Sequence, residues 1–165
     1  SDSNERVIQI PEGSWRYFFN SKEVIEGPTE IYGDFPNDQY PVFVRNEAII
    51  PLRVKRDYTE LGDRESEGFL TILAYPGANS TFTVRREKRD DVPVKIESEG
   101  QETTITIPES DEKFIFRLRN VPMPTTISWN ENEWDEFIQW SYNSRSEELV
   151  LRQNSSAPGS IVISY

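Results

Sequence analysis

Hydrophobic and polar residues alternate with a period of two along almost the whole chain. Ile8 and Ile10 alternate with Val7 and Gln9. Trp15, Tyr17 and Phe19 alternate with Arg16 and Phe18. Phe114, Phe116 and Leu118 alternate with Ile115, Arg117 and Arg119. Further runs of this kind lie at 70–75, 80–84, 94–97, 103–107, 125–129, 137–142, 148–151 and 160–165. Alternation sends successive side chains to opposite faces of an extended chain, so each run predicts a β-strand. Turn formers separate the runs at Pro76-Gly77, Glu99-Gly100, Pro108 to Asp111 and Pro158-Gly159. Many short strands at this spacing predict an all-β chain containing a sandwich. No segment of ten or more residues carries a helical period.

Two segments near the start stand out. Pro11-Glu-Gly-Ser-Trp-Arg-Tyr-Phe-Phe19 reads as an aromatic strand behind a turn. Tyr40-Pro-Val-Phe-Val-Arg-Asn-Glu-Ala-Ile-Ile-Pro-Leu52 reads as two short apolar strands joined by a tight polar connection at Asn46-Glu47. From Lys55 to Gly68 the chain turns polar and charged, with Gly62 inside, which predicts a boundary between modules. The expected organisation is a small proximal antiparallel sheet over residues 1–56, a linker at 57–67 and a distal β-sandwich over 68–165. The proximal module is too small to be robust alone, and must share a core or dock on something else.

Composition narrows the chemistry. The 165 residues include 9 Phe, 7 Tyr and 4 Trp, large side chains that compensate for a hydrophobic fraction of only 35%. The 29 acidic and 18 basic residues leave a net charge of −11. That balance disfavours nucleic acid, whose binders carry a basic footprint, and an anionic membrane surface for the same reason. There is no Cys and no His, which excludes disulfides, thiol nucleophiles, Cys/His zinc sites and His general bases. No apolar run approaches membrane-spanning length and no signal-peptide pattern opens the chain. The chain begins at Ser1 without Met, as an excised or processed piece would. Localisation stays open, with a secreted or periplasmic setting favoured.

Residues 11–19 and 40–52 together resemble the segment that follows the catalytic barrel in glycoside hydrolase family 31, the α-glucosidases and α-xylosidases. There a proline, a short turn, Trp, an aromatic run and a Thr-Gly turn precede a Pro-Val-Phe-Val-Arg run and an Ile-Ile-Pro-Leu run. Leu70-Thr-Ile-Leu-Ala-Tyr-Pro-Gly-Ala-Asn-Ser-Thr-Phe-Thr-Val84 is similar to the hairpin that opens the family's distal C-terminal domain. The chain departs from the pattern at Asn20-Ser21 in place of Thr-Gly, at Glu47 in place of glycine, and at Arg85 to Asp91 in place of an acidic tip. The resemblance implies proximal and distal C-terminal accessory domains of a retaining enzyme that cleaves terminal α-glucosidic or α-xylosidic bonds. It implies a structural role beside a (β/α)₈ barrel of the same parent chain, with no catalytic residues and no cofactor here.

Retaining glycosidases set two carboxyl groups about 5 Å apart across the scissile bond. Trp134-Asp135-Glu136 only superficially resembles the family's catalytic motif, and reads as a turn. Trp129, Trp134, Trp140 and Tyr142 cluster in sequence, and exposed indole faces stack on pyranose rings, so a carbohydrate-binding module is the alternative function. Trp140 shares a strand face with Ile138 and Tyr142 and reads as core. Trp134, between two acids, and Trp129 are the candidate sugar contacts for an oligosaccharide. Phe18 and Phe43 are the candidate barrel-docking residues, because Phe18 points away from Trp15, Tyr17 and Phe19, and because Val42, Phe43 and Val44 are apolar in succession. An interaction sandwich without a sugar ligand is the third reading. Asp34, Asn37 and Asp38 read as a solvated loop, not a calcium site, and Asp90-Asp91 likewise. No metal site is expected. Asn79 and Asn154 open glycosylation-type triplets that matter only in a eukaryotic secretory protein. Arg85 to Arg89 reads as a solvated hairpin end.

Overall fold

The computed structural model describes residues 5–35, 40–54, 66–135, 139–155 and 157–165. Among them every regular element is a β-strand or bridge, apart from a single 3₁₀ residue at Ser66. The chain divides into two compact units between Asn46 and Glu47.

The first unit is a three-stranded antiparallel sheet in the order β2-β1-β3, made of β1 (Glu5–Tyr17), β2 (Asn20–Asp34) and β3 (Phe43–Arg45). β1 and β2 form a long hairpin in which Val7 faces Tyr32, Ile8 faces Ile31 and Gln9 faces Glu30. Between Ile10 and Gly13 the register shifts by one residue, a bulge at Pro11, which cannot supply a ladder N–H. Beyond the bulge β3 joins the other edge of β1, opposite Trp15, Arg16 and Tyr17. Tyr17 is the hub of the aromatic packing, with ring centroids 5.4 Å from Phe43, 5.6 Å from Phe19 and 5.9 Å from Phe35. Arg45 lays its guanidinium over the Trp15 ring, 4.3 Å from the centroid. The bulge brings two backbones so close that a Cβ at Gly27 would lie 1.9 Å from the Pro11 carbonyl oxygen. Neither backbone can yield without loss of pairing. Gly27→Ala is therefore expected to destabilise the first unit by about 1–3 kcal/mol, the range for overpacking. Urea unfolding followed on Trp15, with the other tryptophans replaced by Phe, measures it.

The second unit is a two-sheet sandwich. One sheet has the order β12-β13-β9-β5-β4 and the other β11-β10-β14-β8-β7-β6. The five-stranded sheet comprises β4 (Ile49–Leu52), β5 (Phe69–Ala74), β9 (Lys113–Arg119), β12 (Trp140–Asn143) and β13 (Glu148–Gln153). The six-stranded sheet comprises β6 (Ser80–Val84), β7 (Val92–Glu99), β8 (Glu102–Ile107), β10 (Thr126–Trp129), β11 (Asn132–Glu133) and β14 (Gly159–Ser164). All pairings are antiparallel except β5 with β9, whose parallel alignment needs a long crossover. β6, β7 and β8 in the opposite sheet supply it. Ile72, Phe114, Phe116 and Leu118 from one sheet meet Ile96, Ile105, Ile161 and Ile163 from the other in a single core. On β5 and β9 the apolar run is nearly continuous, and Leu73 and Ile115, on the face away from that core, are buried as well.

The unit boundary falls earlier than the expected 1–56, 57–67, 68–165 division. Ile49 to Leu52 pair with Thr71 to Ala74, so β4 is an edge strand of the sandwich and not part of the proximal sheet. The polar connection at Asn46-Glu47 is tight, with Glu47 at φ 64°, but it joins strands of two different sheets. Residues 55–65, most of the expected linker, lie outside the described residues.

Candidate functional site

The tryptophan cluster is organised by one turn. β10 and β11 are joined through Asn130 and Glu131, both left-handed at φ 46° and 69°. Two central residues with positive φ match the twist of a two-residue hairpin. Asn130 is held there by its own side chain: its Oδ1 accepts the Ser160 N–H at 3.0 Å and its Nδ2 donates to the Pro158 carbonyl at 3.4 Å. Asn132 Nδ2 donates to the Asn130 carbonyl at 3.1 Å. This register sets Trp129 opposite Asn132, and the Trp134 N–H bonds to the Ile127 carbonyl at 2.8 Å. Trp129 and Trp134 thereby become diagonal neighbours, with ring centroids 6.3 Å apart and planes 19° from parallel. Both pack against the core and both stay partly exposed. Gly159 makes room for them, since a Cβ there would sit 2.6 Å from Trp129 Cζ2.

Trp140 has the opposite environment. It pairs with Leu151 on the inner face, is 8% exposed, and donates its indole N–H to the Trp134 carbonyl at 3.2 Å. Tyr142, two residues on, faces Leu149 and donates its hydroxyl to the Val121 carbonyl at 3.0 Å. Ile138 and Glu136 lie outside the described residues. Asp135 is exposed, with its N–H bonded to Gln139 Oε1 at 2.9 Å.

The candidate docking residues lie in the first unit. Phe18 is at the β1–β2 turn, with its N–H bonded to the Val42 carbonyl at 2.9 Å and its ring edge-on to Phe19 at 5.3 Å. Phe43, on β3, pairs with Tyr17 of β1. Both are partly exposed, while their neighbours Phe19 and Val42 are more open, at 49% and 40%. The turn is braced by Arg16, whose Nε donates to Asn46 Oδ1 at 2.7 Å and whose Nη1 donates to the carbonyls of Ser21 and Lys22. Pairing of β1 with β3 brings together Arg16 and Asn46, thirty positions apart in the chain, a contact that no local pattern reveals.

The remaining charged groups build locks. Arg86, its side chain nearly buried, binds Asp111, approaches Glu112 at 3.9 Å and donates to the Asp90 carbonyl at 2.6 Å. The Arg86 guanidinium holds the Asp111 carboxyl below the ordinary carboxylate range. Asp91 Oδ1 accepts the Arg86 N–H at 3.3 Å, so the 85–91 loop closes on itself and is not a free basic tip. Glu148, 8% exposed, accepts from Arg117 at 2.5 Å and from Arg119 at 3.1 Å. Asp34 is exposed, and Asn37 and Asp38 lie outside the described residues. Among the described residues no three acidic side chains converge as a metal site. Asn79 and Asn154 are both exposed.

No protein-family model and no curated protein matches the chain. Solved structures do. A family 31 dextranase from Flavobacterium johnsoniae, complexed with glucose, superposes over 100% of this chain and 25% of its own, with a TM-score of 0.81 and 19% identity. The cycloalternan-forming enzyme from Listeria monocytogenes, in complex with a pentasaccharide substrate, covers 97% of this chain and 17% of its own, at a TM-score of 0.81 and 17% identity. A family 31 α-xylosidase from Xanthomonas citri covers 72% of this chain and 14% of its own, at a TM-score of 0.51 and 22% identity. The chain spans a quarter or less of each of these proteins. The 165 residues share the fold of a segment of glycoside hydrolase family 31 enzymes.

Proposed function

We propose that this chain is a non-catalytic accessory segment of a retaining α-glycosidase of the family 31 type, acting on terminal α-glucosidic or α-xylosidic bonds. Its role is structural: the proximal sheet packs on a (β/α)₈ barrel of the same parent chain, and the segment supports that barrel. One observation carries the reading. Essentially the whole chain, and not a part of it, superposes on a small fraction of much larger sugar-acting enzymes. The docking residues are Phe18 and Phe43, with the more exposed Phe19 and Val42 next to them in the chain. Apolar side chains grouped on one small sheet mark a surface meant to be covered. The reading assigns no cofactor, nucleic acid or membrane to the chain.

The chain by itself is expected to leave aryl α-glucosides and α-xylosides intact in a colorimetric assay. The reading fails if turnover survives repurification and disappears in an Asp135→Asn variant. The docking half is tested by co-expressing the chain with the barrel region encoded beside it in the reading frame. The two should co-purify, and Phe18→Ser with Phe43→Ser should weaken the association while leaving the melting temperature of the sandwich in place. A reading frame without a barrel would overturn the proposal at once.

A further inference from the structure

The four tryptophans settle their indole N–H groups in two different ways. Trp15 donates to the Pro11 carbonyl at 2.9 Å and Trp140 to the Trp134 carbonyl at 3.2 Å. Among the described residues Trp129 and Trp134 donate to nothing. A tryptophan this far packed usually spends its N–H internally. Two adjacent exceptions at the β11 edge of the sandwich set two indole donors, without an acceptor among the described residues, beside two partly exposed rings.

The ring geometry gives those faces a common direction. The two rings are nearly parallel, with planes 19° apart and centroids 6.3 Å apart, so their faces share one orientation at the hairpin edge. The surroundings select the ligand's charge. Glu131, Glu133 and Asp135 are exposed along the same hairpin, and among the described residues none of the three pairs with a cation. Carboxylates accept hydroxyl hydrogen bonds and repel anions.

We propose that Trp129 and Trp134 form a binding site for a neutral saccharide. The rings stack on sugar C–H faces, the indole N–H groups donate to ring or hydroxyl oxygens, and the neighbouring carboxylates accept hydroxyl protons. This site lies in the second unit and stands whether or not the first unit docks on a barrel.

The test uses the ¹⁵N-labelled full chain, whose four indole N–H signals are separate reporters in a heteronuclear correlation spectrum. Titration with maltotriose or xylotriose should move the Trp129 and Trp134 signals saturably and leave those of Trp15 and Trp140 in place. Trigalacturonate, an anionic trisaccharide, should move none of them. Trp134→Ala should weaken binding by about tenfold or more, the loss of one stacking contact with its donor. Because that variant also disturbs packing, Trp134→Phe supplies a gentler version with the Trp129 signal as readout. The site is overturned if no indole signal moves up to the solubility limit of both neutral sugars, or if only Trp15 or Trp140 responds. An equal response to trigalacturonate overturns the ligand class.

Discussion

Trp140→Ala is expected to lower the unfolding free energy by about 3–5 kcal/mol, the cost of truncating a buried tryptophan and leaving a cavity. The side chain is 8% exposed and belongs to the core shared by both sheets. Its strand β12 is the edge of the five-stranded sheet and pairs only with β13. An edge strand of four residues owes its position mainly to the side chains it buries, and Trp140 is the largest of them. The same substitution removes the N–H that caps the Trp134 carbonyl, so it should also loosen the end of the β10–β11 hairpin. Urea unfolding gives the magnitude. Trp134→Ala serves as the comparison and should cost clearly less, because that ring already keeps part of its surface in water. A Trp140→Ala penalty below that of Trp134→Ala would mean that core and surface have been assigned the wrong way round.

The second large effect belongs to Glu148. Its carboxylate accepts from Arg117 Nε and Nη2 on one oxygen and from Arg119 Nε on the other. The Arg117 and Arg119 side chains are only 16% and 18% exposed. Removing the carboxylate in Glu148→Ala leaves two guanidinium groups side by side with little water to screen them. Breaking such a cluster by deleting one partner costs about 3–5 kcal/mol when fully buried, and the partial access of water here points to about 3 kcal/mol. Glu148→Gln keeps an acceptor but not the charge, and should fall between wild type and Ala. Added salt should recover part of the Ala deficit by screening the two arginines. A deficit under about 1 kcal/mol would class the cluster with ordinary surface pairs.

Much of the sandwich was legible in the sequence because several of its strands, unlike β5 and β9, alternate buried with more open positions. That arrangement forces the period of two, as in β8, where Thr103, Ile105 and Ile107 are buried and Glu102 and Thr106 exposed. The assignment of Trp140 to the core rested on the same logic. β2 escaped detection for the converse reason. Its fifteen residues carry Glu23, Glu26, Glu30 and Asp34, its side chains are mostly exposed, and no apolar rhythm survives. Pairing partners were also hidden: two apolar runs in tandem do not say whether they pair with each other, and β3 and β4 do not. At the tryptophan cluster, composition identified Trp129 and Trp134 as a pair to watch. Their stacking follows from a two-residue turn that uses Glu131 in a left-handed conformation, where glycine or asparagine would have announced it. Pro158-Gly159 signalled a turn in the sequence, but not that Gly159 makes room for the Trp129 ring or that Asn130 holds the hairpin turn.

The handover at Asn46 and Glu47 bears on how such segments travel between proteins. A recombination event that breaks the chain in the polar stretch after Leu52, where composition invites it, would carry β4 away with the proximal sheet. β5 would then become a raw edge, with the backbone groups of Thr71 to Ala74 that now pair with β4 open to other chains. A break at Asn46 would leave both sheets intact. Exchange among modular enzymes built on this fold should therefore favour junctions inside a two-residue connection over junctions in the longer, more permissive stretch that follows it.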